Sequence, residues 1–167
     1  MNLTPEWAGH TSRDQRATVL LRQEHEILLD LFRRQRSLPP GASQEREALQ
    51  EQILAVIELI DRVERDVLFP ALPAKYAPLL RALEADHEVL AGCLAGLRRA
   101  ASVPSSNQAR MRVEQLARHH LAHEESLLYG IVEREHPELN RKLYHALVDA
   151  RAQIAARAGA APAGSAH

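Results

Sequence analysis

Residues 119–129 read HHLAHEESLLY, a stretch with three histidines and two glutamates among three leucines and a tyrosine. An α-helix advances roughly 100° per residue, so residues three, four and seven apart share a face. On that spacing His120 and Glu124 fall on the apolar face of a helix, in the row Val113, Leu116, His120, Glu124, Leu127, Ile131. The stretch therefore predicts a helix that turns an imidazole and a carboxylate towards a protein core.

The rest of the chain is also typical of helices. Leu, Ala, Glu and Arg dominate, and the alternation of a β-strand is missing. We expect helices at about residues 13–37, 43–69, 78–101, 108–135 and 137–157, with Thr11 or Ser12 as the first N-cap and the SVPSSN segment as a loop. Four long helices with short links predict an all-α protein, an antiparallel four-helix bundle with an additional C-terminal helix. Residues 1–12 would be a flexible arm, 13–157 the bundle and 158–167 a disordered tail.

Composition excludes several classes of protein. A net charge of −1 provides no electrostatic footprint for nucleic acid or an anionic membrane, and 4% aromatic residues leave few stacking platforms for bases. No apolar run is long enough to span a bilayer, and no leader peptide is apparent. The single cysteine rules out an internal disulfide and fits a reducing compartment. We expect a cytoplasmic protein with neither nucleic acid nor membrane as a partner.

Each long helix places a polar titratable residue in its core-facing row. The five residues are His25, Glu64, His87, His120 and Glu124. Buried charges are costly, so such groups normally neutralise, pair or bind a metal. Three imidazoles and two carboxylates that converge in a bundle core suit iron, manganese or zinc, and carboxylates there can bridge two ions.

Four segments resemble the hemerythrin-like, or HHE cation-binding, family: EHEILLDLF (24–32), ERDVLFPAL (64–72), DHEVLAGCL (86–94) and HLAHEESLLY (120–129). The resemblance covers roughly residues 15–135 in the family's order and spacing. It implies a hemerythrin-like bundle with a non-haem di-iron site, with or without an oxo bridge between the two ions. Relatives bind oxygen reversibly, sense iron or oxygen, turn over peroxide, or help repair iron centres under nitrosative stress.

One position departs from the family pattern, because Ile60 stands where a histidine ligand is expected four residues before Glu64. Water or an exogenous ligand would then fill the gap, or Asp61 or His123 would substitute, or the site would hold one metal only. The third helix also carries one histidine where oxygen-carrying relatives have a pair. That difference disfavours stable oxygen carriage.

These observations predict a metal-binding protein, with di-iron that reacts with or responds to oxygen, nitric oxide or peroxide as the first hypothesis. The alternative is a mononuclear zinc or other cation, manganese included, held without redox activity for storage, sensing or structure. A helical interaction module with a vestigial site is the third. No substrate is indicated. The fifth helix would close the bundle or form a dimer interface, so the chain is expected to be a monomer or a homodimer. Tyr129 is assigned to packing, and Glu125 to the surface or to a hydrogen bond with a ligand histidine.

Overall fold

The computed structural model describes residues 15–99 and 103–159, with side chains for 15–99 and 106–153. Helix α1 is Ala17–Ser37. Helix α2 covers 43–71, as an α-helix Ser43–Val63, a π-helix Glu64–Leu68 and a last turn Phe69–Ala71. A 3₁₀ turn, Ala74–Tyr76, leads into α3, Ala77–Arg99. Helix α4 covers 103–135, as Val103–His123, a π-helix Glu124–Tyr129 and Gly130–Glu135. Helix α5 is Pro137–Gly159, and no described residue lies in a strand.

Neighbouring long helices run antiparallel, as their contacts demonstrate. Thr18 and Arg22, near the start of α1, bond to Glu133 near the end of α4, whereas Arg36 at the end of α1 bonds to Glu114. Helix α2 pairs with α3 in the same opposed sense. The expected antiparallel bundle with an additional helix is confirmed.

The core consists of two apolar halves with a polar layer between them. One half includes Leu21 and Val63, and the other includes Leu28 and Ile60. Along α1, His25 lies between Leu21 and Leu28 and is itself fully buried. The polar residues of the other helices occupy the same level, so the bundle carries its titratable groups in a single layer at mid-depth.

Helix α5 closes one end of the bundle. Leu143, Tyr144 and Leu147 are buried in the apolar half that also holds the start of α1 and the end of α4. Leu139 packs against the same cluster. These apolar side chains of α5 are therefore covered within the chain. Every helix in the described part is too short or too polar to cross a membrane.

Two helix boundaries differ from expectation. Helix α1 begins at Ala17 rather than near residue 13, and Thr11 and Ser12 lie outside the described residues. Helix α4 begins at Val103, so most of the SVPSSN segment is helical rather than a loop. Pro104 does not prevent this, because the first turn of a helix has no internal partner for the N–H that proline lacks. At the C-terminal end of the described part, α5 continues to Gly159 rather than ending near residue 157. The predicted arm and the residues beyond 159 lie outside the described part.

The row predicted for α4 is correct up to Glu124 and wrong beyond it. Leu127 is 47% exposed, whereas Leu128, Tyr129 and Val132 are buried. The reason is the π-helix that begins at Glu124, because a π-turn closes i→i+5 bonds and needs one residue more than an α-turn. The face that points inward is therefore displaced by one residue.

The first turn of α1 is capped by a side chain from α5. Arg16, at the N-cap position, makes no capping side-chain hydrogen bond. Instead the backbone N–H of Thr18 donates to Asn140 Oδ1 at 3.0 Å, and Asn140 Nδ2 donates to Thr18 Oγ1 at 3.1 Å. Both groups are buried, so this reciprocal pair satisfies a helix-end donor that water cannot reach.

Asn140→Ala is expected to lower the free energy of unfolding by about 1–3 kcal/mol, because the Thr18 N–H is left buried without an acceptor. Urea denaturation of both proteins measures the difference. Asn107→Ala is the matched control, since Asn107 is exposed and accepts a hydrogen bond from Arg110 in the same helix. Equal losses from the two substitutions would contradict a capping role for Asn140.

Candidate metal centre

Four buried side chains from three helices meet in the polar layer: Glu64 of α2, His87 of α3, and His120 and Glu124 of α4. Each offers one ligand atom, and these atoms all lie within 4.8 Å of one another. The two glutamates are completely buried, and the two histidines are 4% and 3% exposed. The i,i+4 spacing of His120 and Glu124 places them one turn apart on the same face of α4. Four of the five predicted residues thus form one group.

The imidazole Nε2 atoms point into this group. His87 Nε2 lies 2.5 Å from His120 Nε2 and 3.3 Å from Glu64 Oε2. His120 Nε2 lies 3.3 Å from Glu124 Oε1. The fifth predicted residue, His25, lies beside the group, with its Nε2 3.5 Å from Glu124 Oε2. Three ring nitrogens and two carboxylates therefore face a common centre.

Two of the three imidazoles are held from outside by a carboxylate on Nδ1. Glu125 Oε1 lies 3.0 Å from His25 Nδ1, and Asp61 Oδ1 lies 2.6 Å from His87 Nδ1. The hydrogen bond from His25 outweighs burial and lowers the pKa of Glu125. Burial opposes ionisation of Asp61, but hydrogen bonds from His87 and Arg65 outweigh it and lower its pKa. An ionised carboxylate only accepts, so the Nδ1 proton of each imidazole points towards its carboxylate.

The third imidazole has a looser partner. Asp86 Oδ2 of α3 lies 3.8 Å from His120 Nδ1, and 3.5 Å from Nδ1 of His123. The His123 side chain is 46% exposed. The two candidate substitutes for the missing ligand, Asp61 and His123, thus both lie outside the group of four. Asp61 contacts Nδ1 of His87, on the side of the ring away from the group, and His123 faces Asp86.

Tyr129 belongs to the polar layer, although its sequence position indicated only packing. Its hydroxyl donates to Glu64 Oε1 at 3.0 Å and lies 3.1 Å from His25 Nε2. The ring is fully buried and stacks on His25 with centroids 5.5 Å apart. Burial and then the charge of Glu64 raise the pKa of the phenol well above its usual value. The π-turn after Glu124 is what brings this residue inside, and regular 3.6-residue periodicity contains no signal for it.

The two central glutamates have opposite pKa shifts. Burial and the charge of Glu64 raise the pKa of Glu124 well above its usual value. Burial also opposes ionisation of Glu64, but its proximity to His87 and Glu124 and the charge of His87 outweigh it and lower its pKa. Two carboxyl groups this close cannot both ionise without a cation, so one keeps a proton.

The paired imidazoles are shifted apart in the same way. Burial disfavours the charged form of His87, but hydrogen bonds to Asp61 and Glu64 prevail and raise its pKa to about 9. Burial, and the charge of His87 among other groups, lower the pKa of His120 to about 4. In the metal-free protein a positive charge on His87 therefore lies among the carboxylates.

Several polar atoms at the centre have no hydrogen-bond partner among the described residues. They include Glu64 Oε2 and both carboxylate oxygens of Glu124. Unpartnered buried carboxylate oxygens are costly, and a cation would satisfy them. The donor set of imidazole nitrogen and carboxylate oxygen fits iron, manganese or zinc.

A cavity of about 100 Å³ lies against the centre between α2, α3 and α4. His87 and His120 line its inner end, and Glu58 and Arg98, which form an exposed ion pair, line its outer end. Its walls are otherwise mainly apolar, and Ile60 is one of them. Ile60 is 4% exposed, so an apolar wall stands at the position where the resemblance predicted a histidine.

Glu124→Gln is expected to raise the free energy of unfolding of the metal-free protein near pH 7 by about 1 kcal/mol or more, because folding must protonate Glu124 at a pH at which the unfolded chain ionises it. An acid whose pKa is raised by folding contributes stability below its unfolded pKa and loses it as pH rises through the folded value. The advantage of glutamine should therefore disappear near the ordinary glutamate pKa of about 4.3 and grow towards neutral pH.

Urea denaturation with a chelator, from acid to neutral pH, measures this effect. Glu138→Gln is the control, because the Glu138 side chain is 75% exposed. If the metal-free Glu124→Gln protein is less stable than the parent at pH 7, repulsion between Glu64 and Glu124 is disproved.

Comparison with known proteins agrees with this geometry. The family model described as hemerythrin HHE cation binding domain matches residues 16–132. The crystal structure of a hemerythrin HHE cation binding domain-containing protein from Mycobacterium kansasii is similar, with a TM-score of 0.73 and 22% identity over 86% of this chain and 89% of the other. At that identity the likeness establishes the fold alone. No curated protein matches the chain. On the family match, over most of its length, this chain belongs to the hemerythrin HHE cation-binding domain family.

Proposed function

We propose that the polar layer holds two iron ions and that the protein reacts with, or responds to, oxygen, nitric oxide or peroxide. Glu64, Glu124, His25, His87 and His120 would hold the ions. The observation that supports this best is the convergence of three inward Nε2 atoms on two fully buried carboxylates.

The number of donors favours two ions over one. The centre offers three imidazole nitrogens, four carboxylate oxygens and the Tyr129 hydroxyl, drawn from six side chains. A structural zinc ion takes four ligands in a tetrahedron. A single zinc would leave carboxylate oxygens in the layer unsatisfied, whereas two ions that share the glutamates would use them.

The chain supplies an environment for a small uncharged or weakly charged ligand. Iron, when bound, would supply redox chemistry and an open coordination position. The cavity beside His87 and His120 has room for a diatomic molecule or peroxide, and its apolar walls limit water. Ile60 contributes to that wall and donates no ligand, which supports an open position on this side of the centre.

The surrounding side chains would orient the donors. Asp61 and Glu125 hold the rings of His87 and His25 through Nδ1. Tyr129 donates a hydrogen bond to Glu64 and so fixes the carboxylate that faces His87. Because these partners lie on α2 and α4, the helix packing itself sets the direction of each donor.

A mononuclear zinc site is the second candidate, and one observation favours it. The four side chains whose ligand atoms come within 4.8 Å of one another are two histidines and two glutamates, a set that can surround one tetrahedral ion. Under this alternative His25 and Tyr129 are hydrogen-bonding neighbours, and the protein has no redox activity.

Metal analysis of protein purified without an affinity tag, with its optical spectrum, decides between these functions. We expect about two irons per chain and a coloured protein, consistent with carboxylate-bridged pairs in bundle cores. One zinc per chain and no colour would support the alternative. Protein that contains no metal and does not bind added iron or zinc would overturn both.

Glu124→Gln should lose the bound metal in the same assay, because Glu124 contributes both of its unpartnered oxygens to the centre. His145→Ala is the matched control, since His145 is an exposed helix residue on α5. Retention of the full metal content by Glu124→Gln would remove this glutamate from the ligand set.

Tyr129→Phe should leave the fold intact and weaken metal binding by roughly 10- to 100-fold, the usual effect of losing an oriented neighbour of a ligand. The phenyl ring keeps the packing against His25, and only the hydroxyl contacts with Glu64 and His25 are lost. Competition against a chelator measures the affinity. Tyr144→Phe, a buried tyrosine on α5, is the control, and equal effects of the two changes would exclude a specific role for Tyr129.

A further inference from the structure

A second group of metal-ligating side chains lies outside the polar layer, on the exposed side of α4. His119 and His123 are both exposed, and their ring centroids lie 4.2 Å apart. They are four residues apart on regular α-helix, the spacing at which two histidines on one helix face bind a common metal ion. Neither ring is needed for the buried centre.

A carboxylate from the neighbouring helix faces His123, one member of this pair. Asp86 Oδ2 of α3 lies 3.5 Å from Nδ1 of His123. Metal–ligand bonds of about 2.0–2.2 Å in a tetrahedron place two ligand atoms roughly 3.4 Å apart. The separation observed therefore suits two ligands of one cation as well as it suits a long polar contact.

Asp86 also differs from the other two carboxylates that stand behind imidazoles. Asp61 and Glu125 lie 2.6 and 3.0 Å from their histidines, whereas Asp86 Oδ2 lies 3.8 Å from His120 Nδ1. That separation is longer than a hydrogen bond. Asp86 therefore makes no hydrogen bond to His120. Its Oδ2 lies between the buried ring of His120 and the exposed ring of His123.

We propose that His119, His123 and Asp86 form an exposed second site for a divalent transition-metal cation that prefers imidazole, such as zinc, cobalt, nickel or copper. Two imidazoles and one carboxylate would bind the cation, and water would complete its coordination. The site shares no ligand with the buried centre, so it stands or falls independently of the proposed di-iron function. Asp86 also lies close to the buried centre, because its Oδ2 is 3.8 Å from Nδ1 of His120.

The test uses zinc as the probe and a chain whose buried centre is disabled by Glu64→Gln and Glu124→Gln. Calorimetric titration of this full-length protein should show one saturable zinc site. Adding His123→Ala or His119→Ala should weaken it at least about tenfold, since a ligand contributes no less than an outer partner does. Asp86→Asn should weaken it to a smaller extent. Zinc should also shift the ring-nitrogen NMR signals of His119 and His123.

His145→Ala is the matched control and should leave the titration unchanged. The same comparison in the chain with an intact centre, where His123→Ala should remove one zinc equivalent, does not depend on folding of the double variant. Unchanged zinc affinity after His123→Ala, or an equal loss after His145→Ala, would overturn the proposal. If the metal-free parent chain binds zinc only through His119 and His123, the second site stands and the mononuclear zinc alternative for the buried centre fails.

Discussion

The structure depends on the burial of two carboxylates and three imidazoles in one layer between two apolar halves. Water is excluded from this layer, so each charge there needs a compensating charge. In the metal-free protein a proton on His87, whose pKa rises to about 9, and a proton retained by Glu124 supply part of that compensation. A cation would do so more completely. The fold is therefore held by apolar packing on both sides of a layer that is costly by itself.

The direction of each donor is set from the surface of the bundle. Asp61 and Glu125 are partly exposed, yet they fix the rings of His87 and His25 because they approach Nδ1. Asp86 has the corresponding place behind His120 but stands farther away. An inner set of donors and an outer set of carboxylates thus alternate across the helices, and packing of α1 against α4 and α2 against α3 keeps them in register.

Helical periodicity was sufficient to predict which residues form the polar layer, because the helix that precedes each of them is regular. The five residues are His25, Glu64, His87, His120 and Glu124. It was not sufficient for the parts that depend on irregular or distant structure. Tyr129 enters the layer only through a π-turn. Asn140 caps α1 across 122 residues of chain, a pairing that no local pattern contains. The start of α4 at Val103 was not predicted, because the segment that contains Pro104 is typical of a loop. The first turn of a helix nevertheless tolerates proline.

Both central glutamates open a π-turn, Glu64 in α2 and Glu124 in α4. A π-turn is equivalent to one inserted residue, so a relative that lacks it would align with this chain only after a gap of one. An alignment without that gap would match Leu128 or Gly130 to the position that Tyr129 holds in space. Residues that follow each glutamate in the chain should therefore be compared with those of a relative by their positions in three dimensions. A motif with fixed intervals would misidentify which of these residues reach the metal centre.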